Sequence, residues 1–229
     1  MTKKKIELRC LHRHKIEEHP ACFYKGLVKY DFKNDREWER LTGIPWYQFH
    51  GYRIGYFDIE TDGLKADFGT VLSWCIKEKD GPITESRITK EELFNGTTDE
   101  RIVRDFVAEM YKYKIICGYF STRFDLPFVR AKALHYGMDF PEYGDIYHWD
   151  MYYTVREKVN IARKSLDSVC DYLNIKGKTP IDKSAWRKAK YGDPKALDEV
   201  LRHNRGDVII LEELHNKLAF TRKWMRRSI

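Results

Sequence analysis

The chain has 229 residues, with 42 Lys and Arg against 35 Asp and Glu, and it carries six Trp, fifteen Tyr and twelve Phe. That length allows one full core plus an appendage, and the aromatic content excludes a chain too polar to collapse. No apolar run reaches the ~18 residues of a membrane span. The N-terminus lacks a signal peptide's apolar stretch, and five scattered cysteines fit a reducing, cytoplasmic setting better than a disulfide framework. The formal charge of +7 suits an anionic partner, nucleic acid first, although many basic proteins bind none.

Residues 1–50 crowd His, Cys, Trp and charge without a sustained period, and we read them as an extension to a patterned domain over residues 51–229. The stretch YRIGYFDIET, from Tyr52 to Thr61, predicts a buried strand that ends in acids. A hairpin should follow, because Asp80-Gly81 is a turn signal between two strand-like runs. Ile102, Val103, Phe106, Val107 and Met110 recur at helical spacing between Asp99 and Lys112. KIICGYF then predicts a short buried strand, and a helix opens near Asp125 with Pro127 in its first turn.

Another strand, DIYHWD, should end at Asp150, a residue read as structural. From Ser165 a helix carries Leu166, Val169, Cys170 and Leu173 on one face. The last helix opens at Asp193-Pro194, an N-cap followed by proline, and runs through Leu218. This order predicts an α/β fold, a mixed sheet of antiparallel hairpin and parallel strands flanked by helices.

Asp58 and Glu60 lie two apart on the first strand and so share a face. Two carboxylates there repel unless a cation neutralises them, and oxygen ligands suit Mg²⁺ or Mn²⁺. Asp125 opens a helix, and His203 and Asp207 stand i, i+4 on one helix face. Each alone has a plain alternative: a solvated strand end, a dipole-favoured acid, a polar helix face. Together, four acids and one imidazole are what a two-metal phosphodiester hydrolase needs.

FDIET, GYFSTRFDLPF and HNRGDV resemble, in this order, the three exonuclease motifs of the DEDD superfamily on the ribonuclease H-like fold. The likeness covers residues 52–218 and is nearest to 3′–5′ exonucleases related to the proofreading domain of family B DNA polymerases. It implies a metal-dependent 3′–5′ exonuclease with two Mg²⁺ or Mn²⁺, acting on single-stranded or frayed DNA ends. Asp58 would then ligate both metals, Glu60 and Asp207 the nucleophile-side metal, and Asp125 the second through water. Thr61 and Leu64 fall where related domains grip and wedge the terminal nucleotide. At this length no polymerase domain is expected beside it.

Two positions depart from the pattern. The third motif of the superfamily is Tyr-x3-Asp or His-x4-Asp, whereas His203 stands at the tyrosine spacing from Asp207, as base or as orienter of water. The second motif usually has Asn two residues after its glycine, whereas Phe120 follows Gly118-Tyr119 here, to stack on a base or to fill the core. Two other functions stay open: a nucleic-acid-binding module of the same fold without turnover, and an exoribonuclease, since a 2′-OH contact depends on side-chain placement.

Basic and aromatic residues also interleave. Lys3, Lys4 and Lys5 open the chain, while Arg222, Lys223, Trp224, Arg226 and Arg227 close it. SAWRKAKY, from Ser184 to Tyr191, precedes the last helix and is the better candidate for guiding a strand.

Cys10, His12, His14, His19 and Cys22 fall within thirteen residues. Cys10, Cys22, His19 and one of His12 or His14 (His14 in our assignment) would complete a tetrahedral structural Zn²⁺ site. The spacing is not that of a common finger, and the alternative is a His-rich basic loop. If the cysteines ligate zinc, the purified protein carries about one zinc per chain, and Cys22→Ser loses both the metal and some thermal stability. Elemental analysis that finds no zinc in chelator-free preparations selects the loop.

Overall fold

The computed structural model describes residues 52–142, 144–177 and 179–218, all of which except Tyr52 belong to a unit beginning at Arg53. The zinc candidates Cys10, His12, His14, His19 and Cys22 and both basic termini lie outside the described residues.

Five strands form one sheet: β1 (Ile54–Thr61), β2 (Val71–Glu78), β3 (Ile83–Arg87), β4 (Ile115–Gly118) and β5 (Tyr147–Asp150), in the order β3-β2-β1-β4-β5. β1 pairs antiparallel with β2 and parallel with β4, while β2–β3 is antiparallel and β4–β5 parallel. The expected mixed sheet is present. β1 is central, with neighbours on both sides, so its backbone is held along most of its length. Its pairing with β2 shifts register between Glu60 and Thr61, a bulge where the strand leaves the sheet.

Helices α1 (Lys90–Phe94), α2 (Glu100–Met110), α3 (Asp125–His135), α4 (Met151–Lys158), α5 (Leu166–Tyr172), α6 (Lys183–Lys190) and α7 (Pro194–Lys217) flank the sheet. The sequence reading did not anticipate α1, α4 or α6. Each is short, and each is marked by a capping side chain rather than a long apolar period. Thr89 and Glu92 form a capping box for α1, and Asp150 and Asp182 cap α4 and α6. α7 starts as expected, with the Asp193 side chain accepting from Ala196 N and Pro194 in the first turn.

The two faces of β1 have different tasks. Phe57 and Ile59 join Leu72, Trp74, Ile76, α2 and α3 in one buried apolar cluster. The Phe106 ring meets both Phe57 (5.9 Å) and Trp74 (5.7 Å). The other face turns to α7, where the Tyr56 hydroxyl pairs with Nδ1 of His215, and Trp149 packs edge-on against the same imidazole at 4.4 Å. Asp58 and Glu60 share that face by strand alternation. α7 is also tied to the hairpin edge through Arg205–Glu85, Arg87–Asp198 (2.7 Å) and Lys77–Glu212 (2.5 Å).

One buried acid links three elements on the apolar side. Asp99 accepts from Val71 N at 2.7 Å and from the Tyr136 hydroxyl at 2.5 Å, and it meets Lys132 Nζ at 3.2 Å. Its charge is therefore paired and hydrogen-bonded, as a buried carboxylate must be. Phe106 carries the packing behind Asp58, so Phe106→Ala should lower unfolding free energy in urea by about 3–5 kcal/mol. A loss below about 1 kcal/mol would show that the cluster does not depend on this ring.

Candidate active site

The end of β1 delivers Asp58 and Glu60, both half-buried, and α3 delivers the buried Asp125 as its first residue. Oδ1 of Asp125 accepts the Ile59 N–H at 3.2 Å, so this acid is fastened to the strand between the other two. α7 brings His203 and Asp207 one turn apart. The structure draws these together: one ligand atom each from Glu60, His203 and Asp207 lies within 4.8 Å of the others. Nε2 of His203 stands 3.8 Å from Oε1 of Glu60 and 3.8 Å from Oδ2 of Asp207.

The imidazole is oriented from behind. Nδ1 donates to the Thr179 carbonyl at 2.6 Å, so in the neutral ring the proton sits on Nδ1 and the Nε2 lone pair faces the acids. Gly206 makes that approach feasible, because a Cβ there would come within 2.7 Å of the Thr179 hydroxyl. The glycine of HNRGDV thus serves the histidine three residues before it.

Three supporting residues were not assigned to the site from sequence. Trp186 on α6 donates its indole N–H to Oε2 of Glu60 at 3.0 Å and meets the His203 ring edge-on at 5.5 Å. SAWRKAKY therefore contributes to the acid cluster as well as offering an exposed basic side. Asn204 Nδ2 donates to the Asp58 carbonyl at 3.3 Å, while its buried Oδ1 has no hydrogen-bond partner. Thr179 acts only through its backbone. Only Trp186 had a sequence signal, an aromatic amid bases.

Electrostatics follow from the crowding. Burial, with the charges of Asp125, Glu60 and Asp207 behind it, holds the Asp58 carboxyl well above the usual carboxylate range. Glu60 is pushed up to about 8, chiefly by burial, which outweighs the Trp186 hydrogen bond, with Asp207 and Asp125 adding to the rise. Asp125 is raised to about 7 by burial, against the pull of the Ile59 N–H and its own N–H; the charge of Asp150 adds to the rise.

The remaining positions singled out in the sequence have other neighbours. The Thr61 hydroxyl donates to the Gly63 carbonyl at 2.7 Å, and Leu64 is 80% exposed on the loop between β1 and β2, as is Phe68 at 88%. Asp150 is structural: its carboxylate accepts from the N–H groups of Phe120 (2.8 Å), Thr122 (2.9 Å) and Tyr152 (3.0 Å). Phe120 is not a core residue. The residue is 43% exposed, because the turn that carries it is clamped by Asp150 and points it outward.

A mixed sheet with acids at the end of its central strand and on a long flanking helix is the frame of the RNase H superfamily, and the chain belongs to that family, whose model matches residues 55–219. Membership and the acid cluster support a nuclease-type function. The chain is similar to a DNA polymerase of Pyrococcus glycovorans, 22% identical over an alignment that covers 88% of this chain and 29% of that protein. It is also similar to the family B DNA polymerase of the hyperthermophilic archaeon Pyrobaculum calidifontis, with a TM-score of 0.58 and 26% identity over 73% of this chain and 24% of that one. The chain thus spans less than a third of the length of either relative. None of the described helices is long and apolar enough to cross a membrane.

The raised carboxyls generate a pH prediction. Between the ordinary carboxylate range near ~4 and about 8, the folded protein holds protons that the unfolded chain has released. The stabilisation from these groups is complete below that range and is lost as pH rises to about 8. In chelator, the thermal midpoint should therefore fall between pH 6 and pH 8. Mn²⁺ should restore it by favouring the ionised acids, and Asp125→Asn should flatten the fall. A midpoint that rises with pH in chelator would contradict the crowding.

Proposed function

We propose that the protein is a metal-dependent 3′–5′ exonuclease that removes nucleotides from single-stranded or frayed DNA ends. The observation that carries this reading is the convergence of four carboxyl groups, with the His203 Nε2 lone pair turned towards two of them. A donor set dominated by oxygen suits Mg²⁺ or Mn²⁺, and carboxyls pushed above their usual range are a set that a cation would ionise. Asp58, Glu60 and Asp207 would hold one ion, and Asp58 with Asp125 the other. When bound, such a pair activates water and stabilises the charge that develops on the leaving oxygen.

The chain's own groups do the positioning. Trp186 keeps Glu60 turned into the site, and Asn204 steadies the strand at Asp58. His203 Nε2 can accept a hydrogen bond or a proton from the attacking water, with Nδ1 anchored so that the ring cannot flip. Thr61, the last residue of β1, and Leu64, on the loop that follows, would hold the terminal nucleotide. Arg187, Lys188 and Lys190 lie exposed on α6 beside Glu60's partner and would neutralise phosphates of the incoming strand.

The test is digestion of 5′-labelled DNA and RNA oligonucleotides with Mg²⁺, Mn²⁺ or chelator. A ladder shortening from the 3′ end is expected, stronger on DNA, and abolished by chelation. Asp58→Asn should slow it by at least about 10³-fold while the protein stays folded. His203→Tyr should retain substantial activity if the imidazole only orients water; if it is a base, the Tyr and Ala variants should both be slow, with an altered acid limb. Wild-type speed in Asp58→Asn would sink the reading, and preference for RNA would move the substrate class.

A further inference from the structure

Phe120 adopts φ +59, a left-handed conformation that glycine and asparagine tolerate and a bulky aromatic residue does not. The turn around it imposes this. One buried carboxylate, Asp150, accepts from the N–H of Phe120 and of Thr122, and the Ser121 hydroxyl pairs with Nε2 of His148 at 2.9 Å. Gly118 lets Ser121 fold back beneath it: a Cβ on Gly118 would lie 2.2 Å from the Ser121 Oγ. Such a turn would be less strained with asparagine or glycine in place of Phe120.

The strain is not balanced by burial. Phe120 is 43% exposed, and its ring forms a T-shaped pair with Tyr152, with ring centres 4.9 Å apart and planes at 77°. Tyr152 is in turn braced by Tyr119 at 5.9 Å and Tyr153 at 5.4 Å, both nearly perpendicular to it. The exposed Arg123 donates to the Tyr153 hydroxyl at 3.3 Å, adding a cation to the aromatic group. Whichever ring of this pair presents its edge, Tyr152 covers at most one flat face of Phe120 and leaves the other for a planar partner.

The location says which partner. Phe120 lies five residues before Asp125 in the same connection, and Asp150, which holds its N–H, is near enough for its charge to act on Asp125. We propose that Phe120 is a stacking platform for one base of the single strand whose end enters the acid cluster. This rests on the nuclease reading. Every base has a flat face, so the platform selects an unpaired strand without reading sequence, with Arg123 beside it for a phosphate.

The experiment compares full-length wild type with Phe120→Asn, Phe120→Leu and Phe120→Tyr. It measures KM and kcat on a single-stranded DNA oligonucleotide, together with thermal midpoints. Asn should raise the midpoint by relieving the left-handed strain, yet raise KM about 5- to 100-fold with kcat within about threefold. Leu, which keeps bulk without a flat π-face, should raise KM in the same way, while Tyr should stay near wild type. An abasic site at one position of the oligonucleotide should cost wild type that same factor and cost the Asn variant nothing. Asn or Leu variants with wild-type KM, whatever their midpoints, overturn the platform and leave the nuclease reading intact. Wild type that digests neither DNA nor RNA overturns the nuclease reading itself.

Discussion

Like charges forced together at the end of one buried strand set the terms for the rest of this structure. Asp58, Glu60 and Asp125 stand with Asp207 close by, and burial makes the ionised state of the first three costlier still. Such an arrangement persists only where the surroundings over-determine it. They do so from both sides. The apolar cluster around Phe57 and Phe106 anchors one face of β1, and Tyr56, His215 and Trp149 lock the other face to α7. The stability invested there is what allows the acids to sit so close to one another.

Much of this was legible in the residues because local geometry decided it. An i, i+2 pair on a strand and an i, i+4 pair on a helix must share a face, so Asp58 with Glu60, and His203 with Asp207, could be grouped before any fold was known. The strand β1, the hairpin around Asp80 and the capped start of α7 were readable for the same reason. Asp80 takes φ +54 in the turn, as a residue of that type can.

The rest depended on contacts between segments distant in sequence. Nothing in SAWRKAKY says that its tryptophan reaches Glu60, 126 residues earlier. Asn204 adjoins His203 in the chain, yet it serves the Asp58 backbone, because α7 crosses the sheet at that point. Thr179 contributes a carbonyl, which every residue has, so no side-chain pattern could reveal it. α1, α4 and α6 are too short for an apolar period, and the signals that could have shown them are their caps, Thr89, Asp150 and Asp182. Phe120 could be read as core or as surface from composition alone; its exposure follows from the Asp150 clamp, which pairing of β4 with β5 brings into place.

The ion pairs that bind α7 to the hairpin have a second effect, on how copies of the molecule meet. β3 is an outer strand of the sheet, and an outer strand offers unpaired backbone groups to any other strand that approaches. Here it is five residues long and carries Glu85 and Arg87, each engaged by α7 through Arg205 and Asp198. Arg101 also reaches from α2 to the Arg87 carbonyl and the Ser86 hydroxyl. A strand adding to this edge would have to displace charged side chains already committed to one another. The contacts that hold α7 in place therefore also guard the sheet against edge-to-edge aggregation.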